Sequence, residues 1–338
     1  MDRHISVICD TPELKAFDLV LREESRVLGF TYTLSRGVES EKFAEEIERS
    51  DAILISTEDL SESVISAIRN SQAKLIVSFT PSFKSLERGN VSFIEKAGEY
   101  FERGGVQNID SLIKLSLWSC GEELSFPDVV KIPWHGIYHP RAGVFTDISK
   151  FLWEYPFSIF PMVGIVFSRR SWLYGEVRNA MNAISEIESR RYGVMPVFTH
   201  SVGSELKPLL ENVKVVLSYV GVSDELMELG VPIVDCIKER FYHPDFPGFS
   251  GVTRNPIETT IRWLEFETKD VKKVGVEVSN PEIRRSCEER GYRLAEEGGS
   301  CDLVLTDGTD GAHSNRADGV LVMWRESNSQ ASQHYRKP

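Results

Sequence analysis

Two histidines and a pair of adjacent arginines fall within residues 133–176, a stretch that also carries three tryptophans. It reads P-W-H-G-I-Y-H-P from Pro133 to Pro140 and, after an aromatic linker, V-G-I-V-F-S-R-R-S-W-L-Y-G-E from Val163 to Glu176. An imidazole exchanges a proton near neutral pH, so His139 can serve as a base. The guanidinium groups of Arg169 and Arg170 present paired donors that match a carboxylate or a phosphate. The chemistry on offer is therefore anion binding, with a proton acceptor in the same stretch.

The elements that must position these groups differ along the stretch. Pro133 and Pro140 lack an N–H and bias the residue before each toward extended geometry, so no helix runs through His135 and His139. Their spacing of four would share a helix face, and in an extended connector it loses its metal-ligand meaning. Two readings follow: histidines hydrogen-bonded within a half-buried loop, or His139 as a base or a metal contact. Val163 to Phe167 has strand length and is apolar throughout. From Trp172 to Arg190 apolar residues recur at helical spacing (Val177, Ala180, Met181, Ile184, Ile187). Ser168 to Ser171 is then a strand-to-helix turn, the place where open α/β sheets bind ligands and where free N–H groups favour anions. The alternative is that the two arginines cap acidic side chains at the surface.

Strands and helices alternate in the remainder. His4 to Cys9 reads as a strand; Thr11 can cap a helix with Pro12 at its first position and Leu14, Phe17 and Leu21 on one face. Phe30 to Leu34, a helix around Phe43 to Ile47, the strand Ala52 to Ser56, a helix from Ser61 to Arg69 and the strand Lys74 to Ser78 follow. Residues 81–105 read as irregular, and Ile109 to Trp118 as a helix with Asn108 as its cap. Beyond the central stretch come the strand Met195 to Phe198, a helix near Glu205 to Glu211, the strand Val213 to Val220, a short helix from Asp224 to Leu229 and the strand Val231 to Cys236. Val213 to Val220 is apolar almost without alternation, as a central strand covered on both faces should be. The Pro-, Gly- and aromatic-rich segment from Phe241 to Thr253 reads as a structural loop or as a pocket wall for a flat ligand. Residues 273–324 echo the first unit: V-S-N-P-E-I from Val278 parallels C-D-T-P-E-L from Cys9, and C-D-L-V-L-T from Cys301 parallels D-A-I-L-I-S from Asp51. The polar loop from Asp307 to Gly319 departs from calcium-loop spacing and reads as a solvated turn.

The expected fold is α/β, with two to three Rossmann-like units and mostly parallel sheets. The expected divisions are residues 1–118, a connector at 119–160, a second unit at 161–270, a small third unit at 271–325 and a polar tail at 326–338. The 338 residues are 41% apolar and 27% charged, an ordinary globular composition. A net charge of −12 without a basic stripe argues against nucleic acid as a partner. The five cysteines are scattered and form no C-x-x-C pair, so they read as reduced thiols. No apolar run reaches the length of a membrane span and the first ten residues lack signal-peptide architecture, from which a cytoplasmic location is expected. Neither G-x-G-x-x-G after the first strand nor G-x-x-x-x-G-K-[ST] anywhere occurs.

Four islands carry a resemblance. They are Y-F-E-R-G-G-V-Q-N-I-D (Tyr100 to Asp110), G-I-Y-H-P (Gly136 to Pro140), V-G-I-V-F-S-R-x-x-W-L-x-G (Val163 to Gly175) and M-P-V-F (Met195 to Phe198). In this order they resemble the amino-terminal part of the large subunit of the cobaltochelatase and magnesium-chelatase family, whose members are several-fold longer. The resemblance implies a metal-free tetrapyrrole substrate, insertion of Co2+ or Mg2+ and no covalently bound cofactor. It also implies AAA+ ATPase partners that handle ATP, and a further chain carrying the rest of the large subunit. Such a chain would form nitrogen–metal bonds only within a multi-subunit complex. Carried onto this sequence, His139 is the catalytic residue, for proton transfer or transient metal contact; Arg169 and Arg170 bind ring carboxylates; Trp134, Tyr138, Trp172 and Gly175 line the ring. No metal ligand is assigned. The alternative is a non-catalytic binding protein derived from the same module, holding a tetrapyrrole or another carboxylated ligand. Three positions depart from the family text: Ser171 for a His, Glu176 for an Asn and Arg141 for an Asp.

Overall fold

The computed structural model describes residues 3–10, 13–244, 249–253, 255–267, 273–277, 281–289, 291–294, 303–306 and 321–325. The expected cap Thr11–Pro12, the loop 307–319 and the tail 326–338 lie outside the described residues. Two compact units are present: residues 1–133 with 170–176, and residues 134–169 with 177–338.

The first unit alternates β1 (His4–Cys9), α1 (Glu13–Leu28), β2 (Thr31–Ser35), α2 (Ala44–Glu48), β3 (Ala52–Ser56), α3 (Glu62–Asn70) and β4 (Leu75–Ser78), then α4 (Val91–Arg103) and α5 (Val106–Ser119). Its strands lie in the order β2-β1-β3-β4, all parallel. Side chains alternate across a strand. Ile5, Val7, Leu54 and Val77 accordingly pack with Phe17, Tyr100 and Leu112 of α1, α4 and α5, whereas Ile8, Ile53, Ile55 and Ile76 pack with Ile47, Val64 and Ile68 of α2 and α3. Both faces are covered, which is why the strands are apolar without alternation.

Helix α4 is a departure from the irregular stretch expected at 81–105. Its signal was present in Asn90, whose side chain accepts from Ser92 N–H at 2.9 Å, and in Phe93, Ala97 and Tyr100 at helical spacing. Helix α5 begins at Val106 rather than after Asn108, because Gly104 and Gly105 take φ of +65° and +83°. Asn108 sits inside that helix and acts as a clamp. Its amide donates to the carbonyls of Gly104 (2.8 Å) and Val130 (3.0 Å), and its oxygen accepts from Val130 N–H (2.9 Å). The Tyr100 hydroxyl donates to the Pro127 carbonyl. The Tyr…Gly-Gly…Asn island thus pins the extended segment 127–130 to α4 and α5.

The second unit continues with β5 (His135–His139), β6 (Gly143–Phe145), α6 (Ile148–Glu154) and β7 (Met162–Ser168). After α7 (Arg169–Leu173) come α8 (Arg178–Ser189), β8 (Gly193–Thr199), α9 (Leu206–Leu210), β9 (Val213–Ser218), α10 (Asp224–Met227), β10 (Ile233–Asp235), β11 (Arg240–Tyr242) and β12 (Phe249–Val252). The last elements are α11 (Pro256–Glu267), β13 (Lys273–Glu277), α12 (Pro281–Glu289), β14 (Arg293–Leu294), β15 (Leu303–Thr306) and β16 (Leu321–Arg325). All the strands of this unit join one sheet, in the order β14-β13-β15-β16-β12-β11-β10-β9-β7-β8-β5-β6.

Two parallel blocks stand within that sheet, β8-β7-β9-β10 and β14-β13-β15-β16. Numbered along the chain, each block has the order 2-1-3-4, the same as the first unit. The repeat read between residues 273–324 and the first unit therefore has a topological counterpart. Antiparallel strands β11 and β12 link the two blocks, and β5 and β6 extend the sheet beyond β8.

Three local readings change. Residues 135–139 form a strand instead of an irregular connector, because the two prolines fall just outside it and leave every paired N–H intact. The expected helix from Trp172 to Arg190 is broken at Gly175, where φ is +74°. The segment from Phe241 to Thr253 contributes the paired ends of a hairpin, β11 and β12, with residues 245–248 outside the described ones.

Candidate functional site

In the block β8-β7-β9-β10 the chain moves from β7 outward to β8, then crosses back past β7 to β9. The carboxyl ends of β7 and β9 are thus a topological switch point, where the connections diverge and leave a crevice for ligand. Ser168 ends β7 and Arg169 follows it, and Tyr219 follows β9.

Arg169 is 3% exposed, and its guanidinium carbon lies 4.7 Å from the Trp134 ring centre. A guanidinium over an indole face gains about 0.5–2 kcal/mol, the larger figure when desolvated. Trp134 is brought there by β5, whose first pair is His135 with Thr199. The His200 N–H donates to the Trp134 carbonyl at 3.0 Å, and the two rings lie 4.9 Å apart. His200 was not singled out from the sequence. Its position immediately past the strand containing Met195–Phe198 was the available signal.

Tyr219 is held by its N–H to the Val166 carbonyl (2.8 Å) and by its hydroxyl, which donates to the Asn179 carbonyl (3.3 Å). Burial raises the Tyr219 hydroxyl above its ordinary value, with the neighbouring Cys236 adding to the effect. Burial likewise pushes the Cys236 thiol up to about 12. Cys236 is therefore a neutral thiol rather than a nucleophile. Beside it, Asp235 is buried; its Oδ1 accepts from the N–H groups of Ile237 (2.8 Å) and Lys238 (3.0 Å), and its Oδ2 is without a partner among the described residues.

His139 is at the other end of β5. Five residue steps along the strand separate it from Trp134, about 16 Å at 3.3 Å per residue. It is 2% exposed and both ring nitrogens are engaged. Nδ1 accepts from the N–H groups of Arg141 (3.2 Å) and Ala142 (3.3 Å), and Nε2 lies 3.0 Å from Glu188 Oε1. Since Nδ1 accepts, the proton is on Nε2 and is donated to Glu188. Glu188 Oε1 also accepts from the Tyr155 hydroxyl (2.8 Å), which in turn accepts from Val194 N–H (3.0 Å), while Oε2 accepts from Arg141. Arg141, the residue where the family text has an Asp, thus closes this buried cluster from the exposed side. Tyr138, between the two ends, is half-buried opposite Val144.

The remaining expected site residues belong to the first unit. Arg170 is exposed and paired through two nitrogens with the buried carboxylate of Glu13, at the start of α1. Glu176 pairs with Lys15 at 2.6 Å. Trp172 is half-buried in α7, and Gly175 sits in the open, positive-φ turn that ends that helix. Of the residues expected together, then, the second unit joins Trp134 with Arg169, holds His139 at the far end of the strand, and has neither Arg170, Trp172 nor Gly175. Among the described residues no group of three or more His, Cys, Asp and Glu side chains is placed to hold a metal ion. No helix among them is long and apolar enough to cross a membrane.

Residues 98–237 match the family described as CobN/Magnesium Chelatase. Over this segment, which contains all four islands, the resemblance read from the motifs is borne out. Among solved structures the chain is similar to the catalytic subunit of cobaltochelatase from Mycobacterium tuberculosis, at 12% identity and a TM-score of 0.48, over 88% of this chain and 32% of that one. This chain therefore spans about a third of that subunit's length. D-lactate dehydrogenase from Escherichia coli is similar at 11% identity and a TM-score of 0.26, over 86% of this chain and 88% of that one. No curated protein matches the chain.

Proposed function

We propose that this chain is a short or split large subunit of a cobalto- or magnesium-chelatase, which binds a metal-free tetrapyrrole for metal insertion. The observation that carries the reading is a coincidence of place: the family-matched residues 98–237 include Trp134, Arg169, His200, Tyr219 and Cys236, the groups around the switch-point crevice. Insertion exchanges two pyrrole N–H protons for one divalent ion, which sheds its water. The ring must be held while this happens, and its rim carboxylates are the natural handles. Arg169, oriented by the Trp134 face, suits such a carboxylate, and the indole suits the macrocycle.

In this reading Co2+ or Mg2+ is a substrate. AAA+ ATPase subunits supply ATP turnover, and another chain supplies the rest of the large subunit. His139, buried in its hydrogen-bonded network, is a positioning residue that fixes β5 and with it Trp134. A second reading, a binding module without catalysis of its own, is favoured by the same observation on His139, whose two nitrogens are both occupied.

The test is a titration of the purified chain with metal-free porphyrins and corrinoid precursors, followed by absorbance and tryptophan quenching. Saturable micromolar binding of one of them is the expected result. Absence of binding to every ring, by this chain alone and with its co-purified partners, overturns the first reading and leaves the second only with another carboxylated ligand.

A further inference from the structure

The β5–β6 hairpin is closed by a three-residue turn, Pro140 to Ala142, between the paired residues His139 and Gly143. Two of its N–H groups, those of Arg141 and Ala142, end on the Nδ1 lone pair of a buried imidazole. That lone pair is the site a proton would take. The groups facing His139 are Glu188 from α8, Arg141 from the turn and Tyr155 just after α6, with the Phe151 ring behind. Glu188 favours a charged imidazole and Arg141 opposes it. Burial is the larger effect and holds His139 below the ordinary histidine value.

We infer that His139, Glu188 and the two turn amides form an acid-operated latch on the β5–β6 hairpin: a proton taken from solvent at Nδ1 evicts the Arg141 and Ala142 N–H groups and opens the turn. A protonated Nδ1 is itself a donor, and it cannot accept from the two amide donors that faced its lone pair. The evicted amides lose buried partners, so the turn gains stability only by reaching water. Among the described residues strand β6 has no neighbour on its far side and pairs with β5 alone, so no other described strand retains it. The release then travels along β5, which pairs with β8 as far as His135 and places Trp134 against Arg169. That consequence for ligand rests on the proposed function; the latch itself does not.

The test is hydrogen exchange by mass spectrometry on the ligand-free chain, reading residues 136–145 from pH 8 to pH 5 after correction for intrinsic rates. Protection of this segment falls at least tenfold on acidification. The fall follows the titration of one imidazole, which 1H–15N spectra identify as an Nε2–H tautomer with a midpoint below 6.5. In His139→Asn the protection no longer depends on pH. Unchanged protection while that imidazole titrates, or an Nδ1–H tautomer at pH 8, overturns the latch, and the tautomer reading stands even if His139→Asn fails to fold. As no ligand is present, failure here leaves the tetrapyrrole reading intact, and failure to bind tetrapyrrole leaves the latch intact.

Discussion

Replacing Tyr155 by Phe removes one oxygen from the buried hydrogen-bonded cluster of His139, Glu188 and Tyr155. The hydroxyl donates to Glu188 Oε1 at 2.8 Å, and a hydrogen bond to a charged group contributes about 1.5–3 kcal/mol. It also accepts from Val194 N–H at 3.0 Å, and that buried amide would lose its partner at a cost of about 1–3 kcal/mol. The Phe ring keeps the contacts with Phe151 (4.9 Å between centres) and His139 (5.2 Å), so no cavity opens. The two losses share one atom and do not add fully. A destabilisation of about 2–4 kcal/mol is expected. With a urea slope of about 2 kcal/mol per molar, the midpoint falls by about 1–2 M. Urea unfolding followed by circular dichroism measures this, with Trp153→Ala as the control. Trp153 is 91% exposed, and its loss should change stability by less than about 0.5 kcal/mol. A Tyr155→Phe effect no larger than the control's would refute the network as drawn.

Three further outcomes follow from the same geometry. Because burial lowers the His139 value in the fold, the unfolded chain binds more protons between the folded value and about 6.5, so stability holds above that window and is lost as pH falls through it; urea midpoints at pH 8, 7, 6 and 5 check the sign. Gly136→Ala brings a Cβ to 2.8 Å from the Phe145 carbonyl oxygen and 2.9 Å from Phe198, and overpacking of about 1–3 kcal/mol should appear in thermal unfolding. Arg170→Ala leaves the buried Glu13 carboxylate unpaired; since Arg170 is itself about half exposed, the loss is set at about 1–3 kcal/mol, below the value for a fully buried pair, with tetrapyrrole affinity unchanged in the same preparation.

The parallel strands of the first unit and of the block β8-β7-β9-β10 were legible because strands covered on two faces are short apolar runs, and Ala52–Ser56 or Val213–Ser218 can hardly be read otherwise. Where a local signal competed with a tertiary one, the local reading failed. Pro133 and Pro140 concealed β5, because a proline argues against a helix through it but does not say whether the residues between two prolines pair with a neighbour. Gly175 concealed the break between α7 and α8, since apolar spacing resumes on the far side. The site was legible in part. The run from Val163 marked the end of β7, and Arg169 with it. That Trp134, thirty-five positions earlier, meets Arg169, and that Arg170 turns instead to Glu13, depends on strand order and on the division into units. Neither is written in residue spacing. His139 was singled out as the catalytic residue, for proton transfer or metal contact; its partners, Glu188 and Tyr155, are distant in sequence and polar for a reason that only packing reveals.

The central claim, that Arg169 on the Trp134 face grips a ring carboxylate, is tested most directly by a two-by-two cycle. Binding of a metal-free tetrapyrrole with free rim carboxylates and of its fully esterified form is measured for the wild-type chain and for Arg169→Ala. A charge-assisted contact predicts a coupling of about 1.5–3 kcal/mol between the arginine and the free acid, so that esterification weakens the wild type roughly 10- to 150-fold and the variant hardly at all. Equal losses on esterification in both proteins would contradict the account and remove Arg169 from the ligand site.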